Sequence, residues 1–319
     1  MNEFNVIDRY FKKLAKNNPG ALNLSDDVFF DKKNKIVISI DTYIEKVHFF
    51  LTSNPKFILK KIIRSSISDL LAKGVKPSNI FISASGNNKS LSKNKLNLIS
   101  KSLSQEQKKF SFKLSGGDMT NSSKLSFTVT CLGFSKNIVK RNCAELNDDI
   151  YVTGNIGDSY VGLNILKKKI KFNSNQKKYF IKSYYSPNIA FHFSKYLNKF
   201  ANSSIDISDG LLADMNQLIK QQNLSYTIFV EQIPISKILQ SYLKKNNKPK
   251  TQFIFNGDDY QILFTAPRKN RGLIKRISSK LNQKVTLIGH INNGDKKNVV
   301  IFKNKPLKIS QFKGYFHKF

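Results

Sequence analysis

Between Lys35 and Phe302, apolar runs of strand length alternate with longer stretches of helical period, and this alternation restricts the chain to an α/β or α+β fold. Strands are expected at Lys35–Asp41, Asn79–Ser85, a short FKLS stretch ending at Gly116-Gly117-Asp118, and Leu125–Phe134. A second series follows at Asp149–Gly154, Ser204–Ile207, Tyr226–Val230, Gln261–Thr265, Val285–Ile291 and Val299–Phe302. Between them, helices are expected over Pro55–Lys73, Lys93–Lys109, Gly157–Lys168, around Tyr179, Ile189–Phe200, from Asp209-Gly210 to about Gln222, and Lys269–Leu281. The first of these is the best punctuated, with proline at its first turn and Gly74 past its end. Phe4, Ile7, Tyr10, Phe11 and Leu14 predict an amphipathic opening helix, and the polar bridge Lys136–Asp148 is the expected domain boundary.

A chain of 319 residues with 40% hydrophobic residues can bury one large or two ordinary cores. It contains no apolar run of roughly 20 residues to span a bilayer, and charges interrupt the apolar positions at its start, so a cytoplasmic location is expected. Cys131 and Cys143 lack the paired spacing of a zinc or redox site, and Cys131 reads as a small buried strand residue. A formal charge of +33 suits attraction to polyanions. The lysines, however, are spread along the whole chain and accompany abundant Asn, Ile and Phe, as A/T-rich codons would produce.

The acids are not explained that way. Of 21 acidic residues, 16 are Asp and only 5 Glu, although both have A/T-tolerant codons. They gather at Asp26-Asp27, Asp41, Asp69, Gly116-Gly117-Asp118, Asp206-Ile207-Ser208-Asp209-Gly210 and Gly257-Asp258-Asp259, at strand ends, in a helix facing one, or beside glycine. Singly, each has a plain reading as a turn, a helix cap or a solvated charge. Together, short carboxylates gathered at strand ends repel one another unless a cation neutralises them, and Mg²⁺ shared with a substrate's phosphates is the expected guest. The chain has no G-x-x-x-x-G-K-[ST] loop, no H-R-D with a downstream D-F-G and no complete G-x-G-x-x-G, so phosphate chemistry here needs another scaffold.

Read in order, Glu3-Phe4, Ser25-Asp26-Asp27, Ser39-Ile40-Asp41-Thr42, Glu45–Phe49, Ser68–Gly74, Gly116–Asp118, Tyr151–Asp158, Ile205–Leu211, Asn256–Tyr260 and the K-G-Y ending at Tyr315 resemble the thiamine-monophosphate kinases of the aminoimidazole-ribonucleotide-synthetase-like superfamily. The resemblance spans nearly the whole chain. It implies two α/β domains: residues 1–140, whose mixed sheet binds ATP and magnesium and forms a homodimer, and residues 141–319. It further implies several Mg²⁺ ions held by Asp27, Ser39, Asp41, Asp69, Asp118, Asp206 and Asp209, ATP contacts from Gly117, Asp118, Arg141 and Ser208, and thiamine phosphate contacts from His48, Asp258 and Tyr315. The implied reaction is in-line transfer of the ATP γ-phosphoryl group to thiamine phosphate, with no general base.

Against the family's usual pattern, Ser25, Lys46 and Asn256 replace glycines, Ile40 replaces a threonine and Gln261 a glutamate. Within the superfamily, a selenophosphate synthetase is disfavoured by the lack of a reactive N-terminal Cys, and a hydrogenase-maturation carbamoyl dehydratase by the ending His317-Lys318-Phe319. An aminoimidazole ribonucleotide synthetase stays open on fold grounds, although its phosphate-loop signature is not apparent in this sequence. From another class, a basic nucleic-acid-binding protein predicts steep salt dependence and indifference to the aspartates.

Overall fold

The structure, a computed structural model, describes residues 1, 3–308 and 314–315. It opens on a short helix, α1 (Glu3–Val6), which widens into a π-type turn over Ile7–Phe11. The expected opening helix is therefore broken early, and its apolar stripe is not buried: Tyr10, Phe11 and Leu14 are all exposed.

The first half builds a five-stranded sheet from β1 (Phe29–Asp31), β2 (Ile36–Ile44), β3 (Pro77–Gly86), β4 (Lys113–Asn121) and β5 (Ser126–Phe134), in the order β1-β2-β5-β3-β4. Two helices, α2 (Pro55–Ala72) and α3 (Lys93–Phe110), complete it. Helix α2 begins as its sequence dictates: Pro55 needs no amide partner in the first turn, and the Asn54 side chain accepts from the Lys56 amide at 2.9 Å. Its Leu59, Ile62, Ile63, Ile67 and Leu70 are buried with Val37, Val129 and Cys131 of the sheet. Each such side chain contributes roughly 1.5–3 kcal/mol by leaving water. The other sheet face is uncovered, with Ile40 66% and Phe134 58% exposed.

Strand β4 departs from expectation, since it runs through Gly116-Gly117-Asp118 to Asn121, parallel to β3 and exposed along its whole length. The glycines serve close approach instead of ending the strand: a Cβ on Gly117 would stand 1.9 Å from the Ile82 carbonyl oxygen.

The second half builds a seven-stranded sheet from β6 (Asp149–Thr153), β7 (Ser203–Asp206), β8 (Leu224–Phe229), β9 (Ile262–Ala266), β10 (Val285–Asn293), β11 (Val299–Phe302) and β12 (Lys305–Pro306). Their order is β12-β11-β8-β10-β6-β9-β7, antiparallel except where β11 meets β8. Around it lie α4 (Asp158–Leu166), α5 (Ser174–Tyr185), α6 (Phe191–Ser194), α7 (Leu211–Leu218), α8 (Lys237–Lys245), α9 (Thr251–Ile254) and α10 (Arg271–Leu281). The single helix expected over Ile189–Phe200 is α6 followed by a 3₁₀ turn, because Phe193, Tyr196, Lys199 and Phe200 bond three residues back. Helix α7 stops at Leu218, short of Gln222, and α8 has no counterpart among the expected elements. Among the described residues no helix is long and apolar enough to cross a membrane.

Candidate functional site

The last turn of α2 packs against β7, and this seam assembles the site. Ser204 Oγ donates to the Ala72 carbonyl, and Ser68 Oγ donates to Asp206 Oδ2 at 2.5 Å. Asp69, one residue on from Ser68, is thereby brought to Asp206 at the end of β7. Asp27 arrives from the loop before β1. Carboxylate oxygens of Asp27, Asp69 and Asp206 lie within 4.8 Å of one another, and Asp27 Oδ2 is buried without a hydrogen-bond partner. Three converging carboxylates with an unsatisfied buried oxygen form an all-oxygen donor set that fits a hard divalent cation.

Two more acids feel the same field. Asp41 lies inside β2, not at a strand end as expected, since the strand continues to Ile44. Burial, then the Asp206 charge, lift its carboxyl to about 7, against the opposing bond from the Tyr43 hydroxyl at 3.2 Å. Burial followed by neighbouring carboxylates raises Asp206 to about 6 and Asp209 to about 7. Asp69 is driven well above the ordinary range by burial and then by Asp41, Asp206 and Asp27. Glu3, near the chain's start, adds to the repulsion at Asp41 and Asp209.

The paired aspartates divide into different roles. Asp26 is occupied: it accepts from the Asp27 and Arg141 amides and pairs with Lys73 at 2.6 Å. Burial alone would raise its carboxyl, but Lys73 and Arg141 outweigh burial and hold it below the usual value. Asp259 accepts from the Gly157 and Ser159 amides and caps α4, whereas Asp258 pairs with Lys61 at 2.6 Å and accepts from the Tyr260 hydroxyl at 3.0 Å. The Lys61 ammonium also sits 3.6 Å above the Tyr184 ring, which strengthens its hold on this buried position.

Of the remaining predicted residues, Ser39 is buried with its hydroxyl directed to the Ser66 carbonyl at 3.4 Å. Asp118 and Gly117 lie exposed on β4, Asp118 opposite Ser83, and Asp118 is not one of the three converging carboxylates. Arg141, which sequence alone would leave as a surface cation, is largely enclosed and paired with Asp27. The Ser208 carbonyl accepts from the Asp258 amide at 2.8 Å, and no Cβ fits on Gly257, where it would stand 2.0 Å from the same carbonyl. This zips the Asp258 loop to the segment after β7. His48 Nδ1 accepts from the Ile44 amide at 2.9 Å, which places the ring proton on Nε2. Tyr315 donates its amide to the Asp209 carbonyl at 3.1 Å, which holds Gly314-Tyr315 beside the acids.

Expectations for capping also shift. Neither Ser208 nor Asp209 caps α7; Asp214 reaches back to the Asp209 and Gly210 amides, leaving the Asp209 carboxylate to the cluster. Of the unusual residues, Ser25 has φ −111 and needs no glycine, whereas Lys46 takes φ 65, a left-handed conformation costing about 1 kcal/mol. Ile40 faces away from the acids on the uncovered sheet face, and Gln261 bonds Thr153 and Asn188. Lys61, Lys73, Tyr43 and Asp214 were not singled out from sequence; a lysine followed by glycine at a helix end reads as solvated.

Comparison with known proteins bears on this geometry. Residues 20–135 match the family described as "AIR synthase related protein, N-terminal domain". A thiamine-monophosphate kinase of Buchnera aphidicola from Schizaphis graminum is 34% identical over 330 positions, covering 99% of this chain and 98% of its relative. The thiamine monophosphate kinase structure from Aquifex aeolicus has 27% identity and a TM-score of 0.82 over 96% of this chain and 97% of its own. The structure described as AaThiL complexed with AMPPCP and TMP reaches a TM-score of 0.86 at 27% identity, over 99% and 97%.

Proposed function

The chain belongs to the thiamine-monophosphate kinase family, which uses ATP to phosphorylate thiamine monophosphate, and from that premise we propose how its residues share the reaction. The observation that carries the proposal is the convergence of Asp27, Asp69 and Asp206 within 4.8 Å, in surroundings that penalise the charges of Asp69 and Asp206. These three hold magnesium, with Asp41 and Asp209 beside them and Ser39 and Asp118 completing the set once nucleotide is present. Bound there, magnesium supplies charge neutralisation and alignment for two phosphates that would otherwise repel.

The acceptor is a phosphate oxygen of thiamine monophosphate, already ionised because the second phosphate pKa is near 6. No side chain need remove a proton, which suits a site rich in acids and without a nucleophile–base pair. Gly117, Ser208 and Arg141 contact ATP. Arg141 now pairs with Asp27, and its transfer to the nucleotide's phosphates would release that carboxylate to the cation. Asp258, steadied by Lys61 and Tyr260, receives the thiamine cation with His48 and Tyr315 around it. Purified protein given ATP, magnesium and thiamine monophosphate is expected to yield thiamine diphosphate and ADP in equal amounts. Absence of product from folded, metal-replete protein would overturn the assignment.

Residues 1–140 serve as the nucleotide, metal and dimerisation domain, residues 141–319 as the second domain, and the cytoplasm is the proposed location. The dimer reading is supported by the uncovered face carrying Ile40, Phe81 and Phe134 and by the fully exposed edge strand β4. Ile40→Glu is expected to convert a dimer to monomer in light scattering, and an unchanged mass would remove this face from consideration.

A further inference from the structure

The end of α2 delivers a lysine into the acidic site. Lys73 follows the last helical residue, and its side chain is fully buried. A solitary buried ammonium is strongly disfavoured, and three oxygens answer it: the Ser204 carbonyl at 2.8 Å, Asp26 Oδ1 at 2.6 Å and Asp27 Oδ2 at 3.7 Å. The C-terminal end of a helix, where carbonyl groups point outward, further favours a cation at this point. Lys73 thus touches both members of the Asp26-Asp27 pair, and only Asp27 belongs to the converging trio.

We propose that Lys73 is a positioning residue acting as an internal counter-ion: its ammonium fixes Asp26 and offsets part of the Asp27 charge, so the site is formed before a divalent cation arrives. The inference rests on the reading that the Asp27–Asp69–Asp206 trio holds magnesium. Unlike a metal, the lysine is covalently tethered and cannot leave the site, so the carboxylate pair stays ordered in the metal-free protein. The same charge weakens the field that a divalent ion meets at Asp27. Lys73 therefore trades cation affinity for a preformed site.

This role predicts opposite signs for loss of the lysine and loss of the Asp26 charge. In full-length protein stripped with EDTA, thermal unfolding is followed against magnesium chloride without nucleotide. Lys73→Met is expected to melt lower without metal but to reach its half-maximal magnesium-induced shift at about tenfold lower concentration, because a unit charge some 4 Å from the site has gone. Asp26→Asn is expected to raise the half-maximal concentration several-fold, since the ammonium then turns wholly to Asp27. A merely structural peg would lower stability in both variants and leave the magnesium midpoint unmoved, and that result would overturn the proposal. Should Lys73→Met fail to fold, an unmoved midpoint in Asp26→Asn overturns it alone. If wild-type protein shows no magnesium-dependent shift, the metal-site reading itself falls, which is distinguishable from a wild-type response that the variants merely share.

Discussion

Asp69→Asn is expected to cut thiamine diphosphate formation by at least about 10³-fold while making the metal-free protein harder to melt. The two effects have one cause. Asp69 stands amid Asp41, Asp206 and Asp27, and burial and those charges hold its carboxyl well above the ordinary value. Near pH 8, ionising Asp41, Asp69 and Asp206 costs the folded state free energy that a cation would recover. Asparagine keeps the shape and removes one charge, so the metal-free fold is relieved of repulsion. It also removes a charged oxygen donor, so the proposed magnesium would be held more weakly and the two polyanions would no longer be drawn together. Activity assays and thermal melts on the same preparation check both halves. A variant that loses activity and stability together would point to damage of the α2–β7 seam instead of loss of a ligand.

Without metal, the melting temperature is expected to fall as pH rises from about 4 to 8, on the order of 10 °C in total, and magnesium is expected to restore it at the upper end. Asp41, Asp206 and Asp209 stand at about 7, about 6 and about 7, against 3.8 for an ordinary aspartate. The folded state therefore holds protons that the unfolded chain has released. Stability from these groups is complete below the unfolded value and is lost as pH climbs through the folded values. The window is therefore about pH 4 to 7, with the loss complete by 8. Melts in metal-free buffer across this range, repeated with magnesium, decide the matter; a metal-free stability that rises steadily toward pH 8 would contradict the clustering of these acids.

Much of this was legible in the sequence, because the signals were local. Pro55 and Asn54 start α2, Gly74 ends it, and the apolar alternation in β2 and β5 is the period of a half-buried strand. The acids stood out by type and context, and the family resemblance supplied their order. What stayed illegible depends on partners distant in sequence. Nothing around Asp26 tells that Lys73, 47 residues on, takes it out of the cluster and leaves Asp27 in it. Asp214 looks like an ordinary helical acid until Gly210, with φ 132, turns two amides toward it. Gly116-Gly117 read as a strand terminator because a turn and a close backbone approach both require glycine, and only the position of Ile82 distinguishes them.

The contact between α2 and β7 also governs how the molecule can move. Residues 135–148 look like a hinge between two sheets, yet the Ala72 and Ser204 carbonyls are both held across the seam by side chains from the opposite half. Rotation of one sheet against the other would break those bonds beside the Asp27–Asp69–Asp206 trio, so the two halves are riveted next to the converging carboxylates. Relative motion of the two sheets is therefore expected to spare this seam, so Asp69 and Asp206, carried by its two sides, keep their spacing while more distant parts of the halves move.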